Sequence, residues 1–234
     1  MDPSPTPMEP VERVVSQLHE SLEHLKERLL VMGGVAEERV RTVIQALVDR
    51  EVAQVETIRT GDEPLNELHM EIDDRCFKML ALHQPMAVDL RGIVGAVKIN
   101  TDLERVGDLA VNIAEATQRY LLHPPVKELI DIPRMAALAQ AMLRDALDAY
   151  VRRDIELARH VLNEDDTLDA LKTQVFRELL TYMLQDPRTI EPALDLILIS
   201  RHLERIGDHA TNIAEDVIFM VSAQDVRHHA GERD

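Results

Sequence analysis

The chain has 234 residues and carries 43 acidic against 26 basic side chains, a formal net charge of −17 at neutral pH. Nucleic-acid phosphates attract clustered lysine and arginine, so this charge argues against nucleic acid as a principal partner. Aromatic residues make up only 3% of the sequence and tryptophan is absent, so we expect a core of aliphatic side chains between long helices.

Hydrophobic periodicity predicts three helical elements in the first half. Residues 1–8 are rich in proline and are expected to be disordered, and a 3.6-residue period then runs from about 9 to 60. The segment Gly61 to Pro64 reads as a stop followed by a new helix start. A second helix is predicted up to about residue 83 and a third over 86–122. The predicted apolar face of the second helix comprises Leu65, Leu68, Ile72, Phe77, Leu80 and Leu82.

The second half follows the same plan. A helix is predicted over 133–162, and the cap-forming residues Asn163 to Asp166 indicate a restart. The next helix is expected to end near 185–187, the last to end near Ala223, and residues 224–234 to form a flexible tail. No segment alternates with a period of two, so no strand is predicted.

These elements predict an all-α protein made of two tandem three-helix bundles with internal pseudo-two-fold symmetry. We assign the first bundle to residues 9–123 and the second to 124–223. The single cysteine, Cys76, and the lack of any apolar run near the ~20 residues of a membrane span indicate a cytoplasmic protein.

One segment occurs twice, at 102–115 and 202–215, with ten of fourteen paired positions identical at an offset of 100 (202 − 102). On a helix, the apolar members of each copy point to one side and the polar members to the other. The predicted core members are Leu103, Val106, Ala110 and Ile113, with Leu203, Ile206, Ala210 and Ile213. The polar members are Glu104, Asp108, Asn112 and Glu115, with Glu204, Asp208, Asn212 and Glu215.

Two interpretations of this polar stripe stay open. It is either a solvated helix face or a set of oxygen ligands for a hard cation, which clustered carboxylates and amides favour. Like charges four residues apart cost a helix ~0.2–0.5 kcal/mol per pair, so their repetition favours a compensating ion. At the predicted starts of the second helices, Asp62, Asp165 and Asp169 are either N-caps or further ligands.

Two other residue pairs in the repeat also have two explanations. Gly107 and Gly207 lie in the middle of predicted helices, and we favour close helix–helix approach over space for a ligand. For Arg105 and Arg205 we favour ion pairs with a neighbouring helix over anion binding.

Motifs of known enzymes are absent from the sequence. There is no Glu-x-x-His of the di-iron bundles, no His-Glu-x-x-His, no Gly-x-Ser-x-Gly and no phosphate-cradling glycine loop. We therefore expect no catalytic residues and a protein that is not an enzyme. The alternatives kept are a metal-dependent hydrolase and a metal buffer, both motivated by the clustered carboxylates.

The repeated segment resembles the hallmark of the PhoU family, regulators of bacterial phosphate uptake and phosphate signalling. Leu-Glu-Arg-Ile-Gly-Asp followed by Asn-Ile-Ala stands at 103–114, with Val106 for Ile, and again at 203–214. The similarity extends in order over about residues 10–230. Its further segments are Met32-Gly33-Gly34, Gln84-Pro85-x-x-x-Asp89-Leu-Arg91, Thr181-Tyr-Met with Asp186, and Asp225-Val-Arg-His228.

The resemblance implies a cytoplasmic, commonly homodimeric regulator without enzymatic activity. Its implied partners are the ATPase subunit of the Pst phosphate transporter and the PhoR sensor histidine kinase, and any membrane association is through them. It implies negative regulation of phosphate uptake and of the phosphate-starvation response.

The resemblance also implies a divalent or trivalent metal, namely iron, zinc, manganese or magnesium, held by Glu/Asp-x-x-x-Asp motifs. These correspond to Glu104/Asp108, Glu204/Asp208 and Asp165/Asp169. The fourth motif is Asp62-x-x-x-Asn66 here, which lacks one carboxylate.

Overall fold

The computed structural model describes residues 10–61 and 63–223, and no strand occurs within those ranges. The expected tails at 1–8 and 224–234, as well as Asp62 and the segment Asp225–His228, lie outside the described residues. The α-helices are α1 (Pro10–Asp49), α2 (Val52–Thr60), α3 (Glu63–His83), α4 (Ala87–Tyr120), α5 (Asp131–Arg152), α6 (Ile155–Gln185) and α7 (Ile190–Ser222), with a short 3₁₀ turn at Pro187–Thr189.

The first predicted element is broken where the sequence predicted continuous helix. Arg50 adopts a left-handed conformation with φ of 58°, which ends α1 and redirects the chain into α2. The Arg50 guanidinium donates to the carbonyl oxygens of Leu121 and His123 at 3.1 and 2.6 Å and lies 5.5 Å from the centre of the Tyr120 ring. These tertiary contacts hold a backbone conformation that is unfavourable for a non-glycine residue.

The predicted helix over 133–162 and its restart at Asn163 are also wrong. The break lies earlier, at Arg153, whose φ is 55°. The Asp154 carboxylate then caps α6 by accepting hydrogen bonds from the backbone N–H groups of Glu156 and Leu157, both at 3.0 Å. Because Arg50 and Arg153 stand at an offset of 103 (153 − 50), the same turn recurs in both halves.

This correspondence reveals how the two halves differ. α2 and α6 begin at the same offset of 103 (155 − 52), so α2 and α3 together match the single helix α6. The interruption at Gly61 exists only in the first half, where the buried Arg39 side chain donates to the carbonyl oxygens of Gly61 and Ile58. Each half is therefore a three-helix bundle, and the middle helix of the first is cut in two.

α4 and α7 pack against each other in antiparallel orientation and join the bundles. Arg119 pairs with Asp195 and Lys98 with Asp216, each at 2.8 Å, so residue numbers rise along α4 as they fall along α7. An antiparallel pair of equivalent helices is what the predicted pseudo-two-fold symmetry requires. Within the halves, α1, α2 and α3 pack with α4, and α5 and α6 pack with α7, while α1 also contacts α5 across the two halves.

The core follows the predicted faces of the repeated segments. The eight apolar members expected in the core are all fully buried or nearly so. On α3 the prediction is wrong at Phe77 and Leu82, which are exposed, while Cys76 and Met79 are buried instead. The buried positions keep the i, i+3, i+4 spacing, and Phe77 lies one residue out of that phase. In the described residues, no helix is both long and apolar enough to cross a membrane.

Candidate functional site

Four carboxylates predicted as ligands lie along the groove between α6 and α7. We call them the second acidic cluster: Asp165 and Asp169 on α6, Glu204 and Asp208 on α7. A cation from the protein lies among them, because the Lys172 ammonium donates to Asp169 Oδ1 at 2.7 Å and to Glu204 Oε1 at 2.6 Å. Lys172 therefore ties α6 to α7 at the position where one of the two interpretations of the sequence placed an external ion.

The pKa shifts show that these carboxylates share one electrostatic field. Burial, followed by repulsion from Asp208 and Asp169, raises the pKa of Asp165 to about 6. Burial and repulsion from Glu204 and Asp169 also raise the pKa of Asp208. Partial burial acts to lower the pKa of Lys172, but the hydrogen bonds with Asp169 and Glu204 outweigh it and raise that pKa. The cluster therefore holds a charged lysine and retains uncompensated negative charge.

The capping interpretation of Asp165 and Asp169 is wrong. Both lie in the interior of α6, more than two turns beyond its N-cap, Asp154. Asp165 instead experiences the charges of Asp208 and Glu204 on the neighbouring helix. Its counterpart in the first half, Asp62 (165 − 103), lies outside the described residues.

We call Glu104 and Asp108 of α4 the first acidic cluster; Asn66, another predicted ligand, lies on α3. Here the neutralising cation comes from the same helix, since Arg105 lies 3.5 Å from Glu104 Oε2 and 3.2 Å from Asp108 Oδ2. The prediction that Arg105 would pair with a neighbouring helix is thus wrong. Glu104 and Asp108 are partly buried and Arg105 is exposed, so solvent screens this arrangement more than the Lys172 bridge.

The first half has no lysine at the position equivalent to Lys172. His69 stands there, at the same offset of 103 (172 − 69), and its Nε2 faces Asp73 on its own helix at 3.7 Å. The buried Asn100 of α4 donates to Asp73 Oδ1 and to the His69 carbonyl oxygen, both at 2.9 Å. α3 and α4 are therefore joined by an amide where α6 and α7 are joined by an ammonium.

The predicted amide ligands do not both face the acidic clusters. Asn212 donates to Asp102 Oδ1 on α4 at 3.3 Å, and His209 Nδ1 lies 2.8 Å from the same oxygen. Asn212 thus belongs to the contact between the two bundles, away from Glu204 and Asp208. Asn112 is half-buried on α4.

Close packing explains the glycine in the second copy of the repeat. A Cβ added to Gly207 would collide with the Leu168 side chain of α6 and approach Met142 of α5. The preferred interpretation, close helix approach, is therefore confirmed for Gly207. Gly107 is likewise buried in α4.

Whether these residues could hold a metal ion depends on how the described side chains are arranged. Within the described part of the chain, no group of three or more His, Cys, Asp or Glu side chains is arranged to hold a metal ion. In the second acidic cluster the physical reason is visible, because the Lys172 ammonium occupies oxygens that a cation would need. Metal binding at the ten predicted positions stays a prediction.

Reasoning from the sequence missed Lys172 because the search considered oxygen ligands alone. Two signals were present. Lys172 follows Asp169 by three residues, a spacing at which helical side chains are neighbours. The repeat also offered a contrast, since a lysine in one half replaces a histidine in the other.

Comparison with known proteins places this chain in one family. The family model described as the PhoU domain matches twice, over residues 29–117 and 132–217. The chain is 42% identical over 216 residues to the phosphate-specific transport system accessory protein PhoU homolog of Caulobacter vibrioides, covering 92% of this chain and 94% of that protein. The homolog from Pseudomonas aeruginosa is 39% identical, with 92% and 89% covered.

Solved structures agree with these matches. The crystal structure of PhoU from Pseudomonas aeruginosa superposes with a TM-score of 0.83 at 38% identity, covering 88% of this chain and 99% of that one. The phosphate transport system regulatory protein PhoU from Streptococcus pneumoniae superposes with a TM-score of 0.81 at 25% identity, with 89% and 99% covered. The fold of two tandem helical bundles is therefore shared with both proteins.

Proposed function

Because this chain belongs to the PhoU domain family, we propose that it is a non-enzymatic negative regulator of phosphate uptake and of the phosphate-starvation response. In this proposal it couples the Pst phosphate transporter, through its ATPase subunit, to the PhoR sensor kinase. The observation that carries the proposal is the near end-to-end match to phosphate transport accessory proteins.

The surface of the molecule supports a role in binding other proteins. Exposed apolar side chains concentrate at the turn between α3 and α4, where Leu82 and Met86 are 75% and 82% exposed. They recur at the turn between α6 and α7, where Leu184 is 80% exposed and Ile190 is also accessible. We call these the first and second apolar tips. Exposed apolar groups of this kind are typical of protein contact sites.

The two tips lie at opposite ends of the molecule. Near the start of α4, Arg91 donates to the carbonyl oxygen of Met220 at 3.2 Å, and near the start of α7, Asp195 pairs with Arg119. The antiparallel helices therefore carry the tips apart by about the length of α4, roughly 50 Å for its 34 residues. One chain with two similar contact surfaces so far apart is suited to contacting two proteins at once.

Substituting each tip separately tests this proposal. We expect Leu82→Asp with Met86→Asp, and separately Leu184→Asp, each to reduce recovery of one partner from phosphate-replete membranes while the circular dichroism spectrum is unchanged. Val31→Asp, a change of the same kind at an exposed apolar position within α1, serves as the control and should leave recovery unaltered. Recovery of neither transporter nor kinase by the unmodified chain, together with normal repression in a deletion strain, would refute the proposed function.

A further inference from the structure

The two acidic clusters differ in one feature that the family resemblance does not explain. The resemblance implies a metal in each bundle, yet in the second acidic cluster Lys172 Nζ lies within 2.7 Å of oxygens from both α6 and α7. We propose that Lys172 is the resident cation of this cluster and closes it to divalent ions. This goes beyond the proposed function and does not depend on it.

The geometry of the contact supports this role. Asp169 Oδ1 and Glu204 Oε1 come from different helices, so a single ammonium bridges the groove as a metal would. The Lys172 side chain is 31% exposed and that of Glu204 only 18% exposed. Hydration of the Lys172–Glu204 contact is therefore limited, whereas Asp169 is 53% exposed. An entering ion would first have to displace the lysine.

Charge explains why the lysine remains charged and in place. The ammonium contacts two of the cluster's four carboxylates, Asp169 and Glu204, and their negative charge favours its protonated form over neutral lysine. A divalent ion would have to gain enough from the same oxygens to offset both the lost ion pairs and the repulsion of the displaced ammonium. In the first half His69 stands at this position and faces Asp73, so no equivalent ammonium bridges α3 and α4.

Binding of Mn²⁺, followed by electron paramagnetic resonance of the free ion, tests the proposal in the full-length protein. All samples carry Glu104→Gln and Asp108→Asn, which replace the carboxylates of the first acidic cluster with amides. Mn²⁺ binding then reports on the second acidic cluster. In this background we expect Lys172→Met to bind Mn²⁺ at least about tenfold more tightly than the lysine-containing protein. Lys172→Arg, which keeps the positive charge, should bind as weakly as the lysine-containing protein.

Thermal unfolding gives a second readout that depends on the same site. Saturating Mn²⁺ should raise the midpoint of Lys172→Met by roughly 5–10 °C and leave the lysine-containing protein unchanged. Adding Glu204→Gln with Asp208→Asn should abolish that rise.

Two results would overturn the proposal. One is equal Mn²⁺ affinity with and without Lys172, lost on Glu204→Gln, which would mean that the lysine moves aside readily. The other is no Mn²⁺ binding by Lys172→Met, or by Lys172→Gln should the methionine variant not fold, which would mean that Lys172 is not what excludes the ion.

Discussion

The two acidic clusters begin from nearly the same sequence and neutralise their charge in different ways. In the first, Arg105 lies on the same helix as Glu104 and Asp108, pairs with both carboxylates and is 58% exposed. In the second, Lys172 reaches across from α6 and joins it to Glu204 of α7. Duplication of a motif therefore did not duplicate its electrostatics, because the residue opposite the motif differs between the halves.

The middle helices of the two halves also differ. In the first half it is cut at Gly61 and the cut is held by Arg39, whereas in the second half α6 continues through the equivalent position, Glu164. Met142 stands where the offset of 103 places the counterpart of Arg39 (142 − 39), and it is buried in the core. The first bundle thus relies on a buried arginine where the second relies on uninterrupted helix.

The largest expected effect comes from giving the first half the residue of the second. Arg39→Met would leave the carbonyl oxygens of Gly61 and Ile58 without their charged donor, at a cost of about 2–3 kcal/mol in the free energy of unfolding. Urea denaturation followed by circular dichroism measures this. As a control, Arg41→Met on the exposed side of α1 should leave the free energy of unfolding nearly unchanged. Equal costs would show that Arg39 does not hold the break.

A smaller effect is expected from removing each cluster's cation. Lys172→Met should lower the free energy of unfolding by about 1 kcal/mol, because it breaks a partly buried bridge between helices and leaves its carboxylates repelling each other. Arg105→Met should cost less than about 0.5 kcal/mol, since that pair is exposed and lies within one helix. If Arg105→Met lowers the free energy of unfolding more than Lys172→Met does, the stated difference between the two clusters is wrong.

The last effect depends on pH. Asp165 has a pKa of about 6 against an ordinary 3.8, so the folded state binds its proton more tightly than the unfolded state. Its contribution therefore stabilises the fold as pH falls through 6 toward 4 and destabilises it above 6. With chelator present, Asp165→Asn should be more stable than the parent protein at pH 8, and the difference should shrink by pH 5. A constant difference would mean that Asp165 does not titrate in this window.

The helical periodicity of the sequence was sufficient to predict the all-α class, and the repeated segment was sufficient to predict the tandem arrangement. The apolar spacing around Leu103 and Leu203 also predicted which helix faces are buried. The breaks at Arg50 and Arg153 escaped prediction since neither is glycine nor proline, and the contacts that hold Arg50 come from residues about 70 positions away. Asp165 was misplaced because its neighbours are cap-forming residues, although the helix continues through them. The spacing of Lys172 to Asp169 was visible in the sequence, but its contact with Glu204 depends on the packing of α6 against α7.

The most direct test of the difference between the clusters is a crystal structure of the full-length protein grown with Mn²⁺, with anomalous scattering used to locate the ion. We predict no anomalous peak among Asp165, Asp169, Glu204 and Asp208, with Lys172 Nζ within hydrogen-bonding distance of Asp169 and Glu204. A manganese peak coordinated by those carboxylates, with Lys172 turned away from them, would contradict the account.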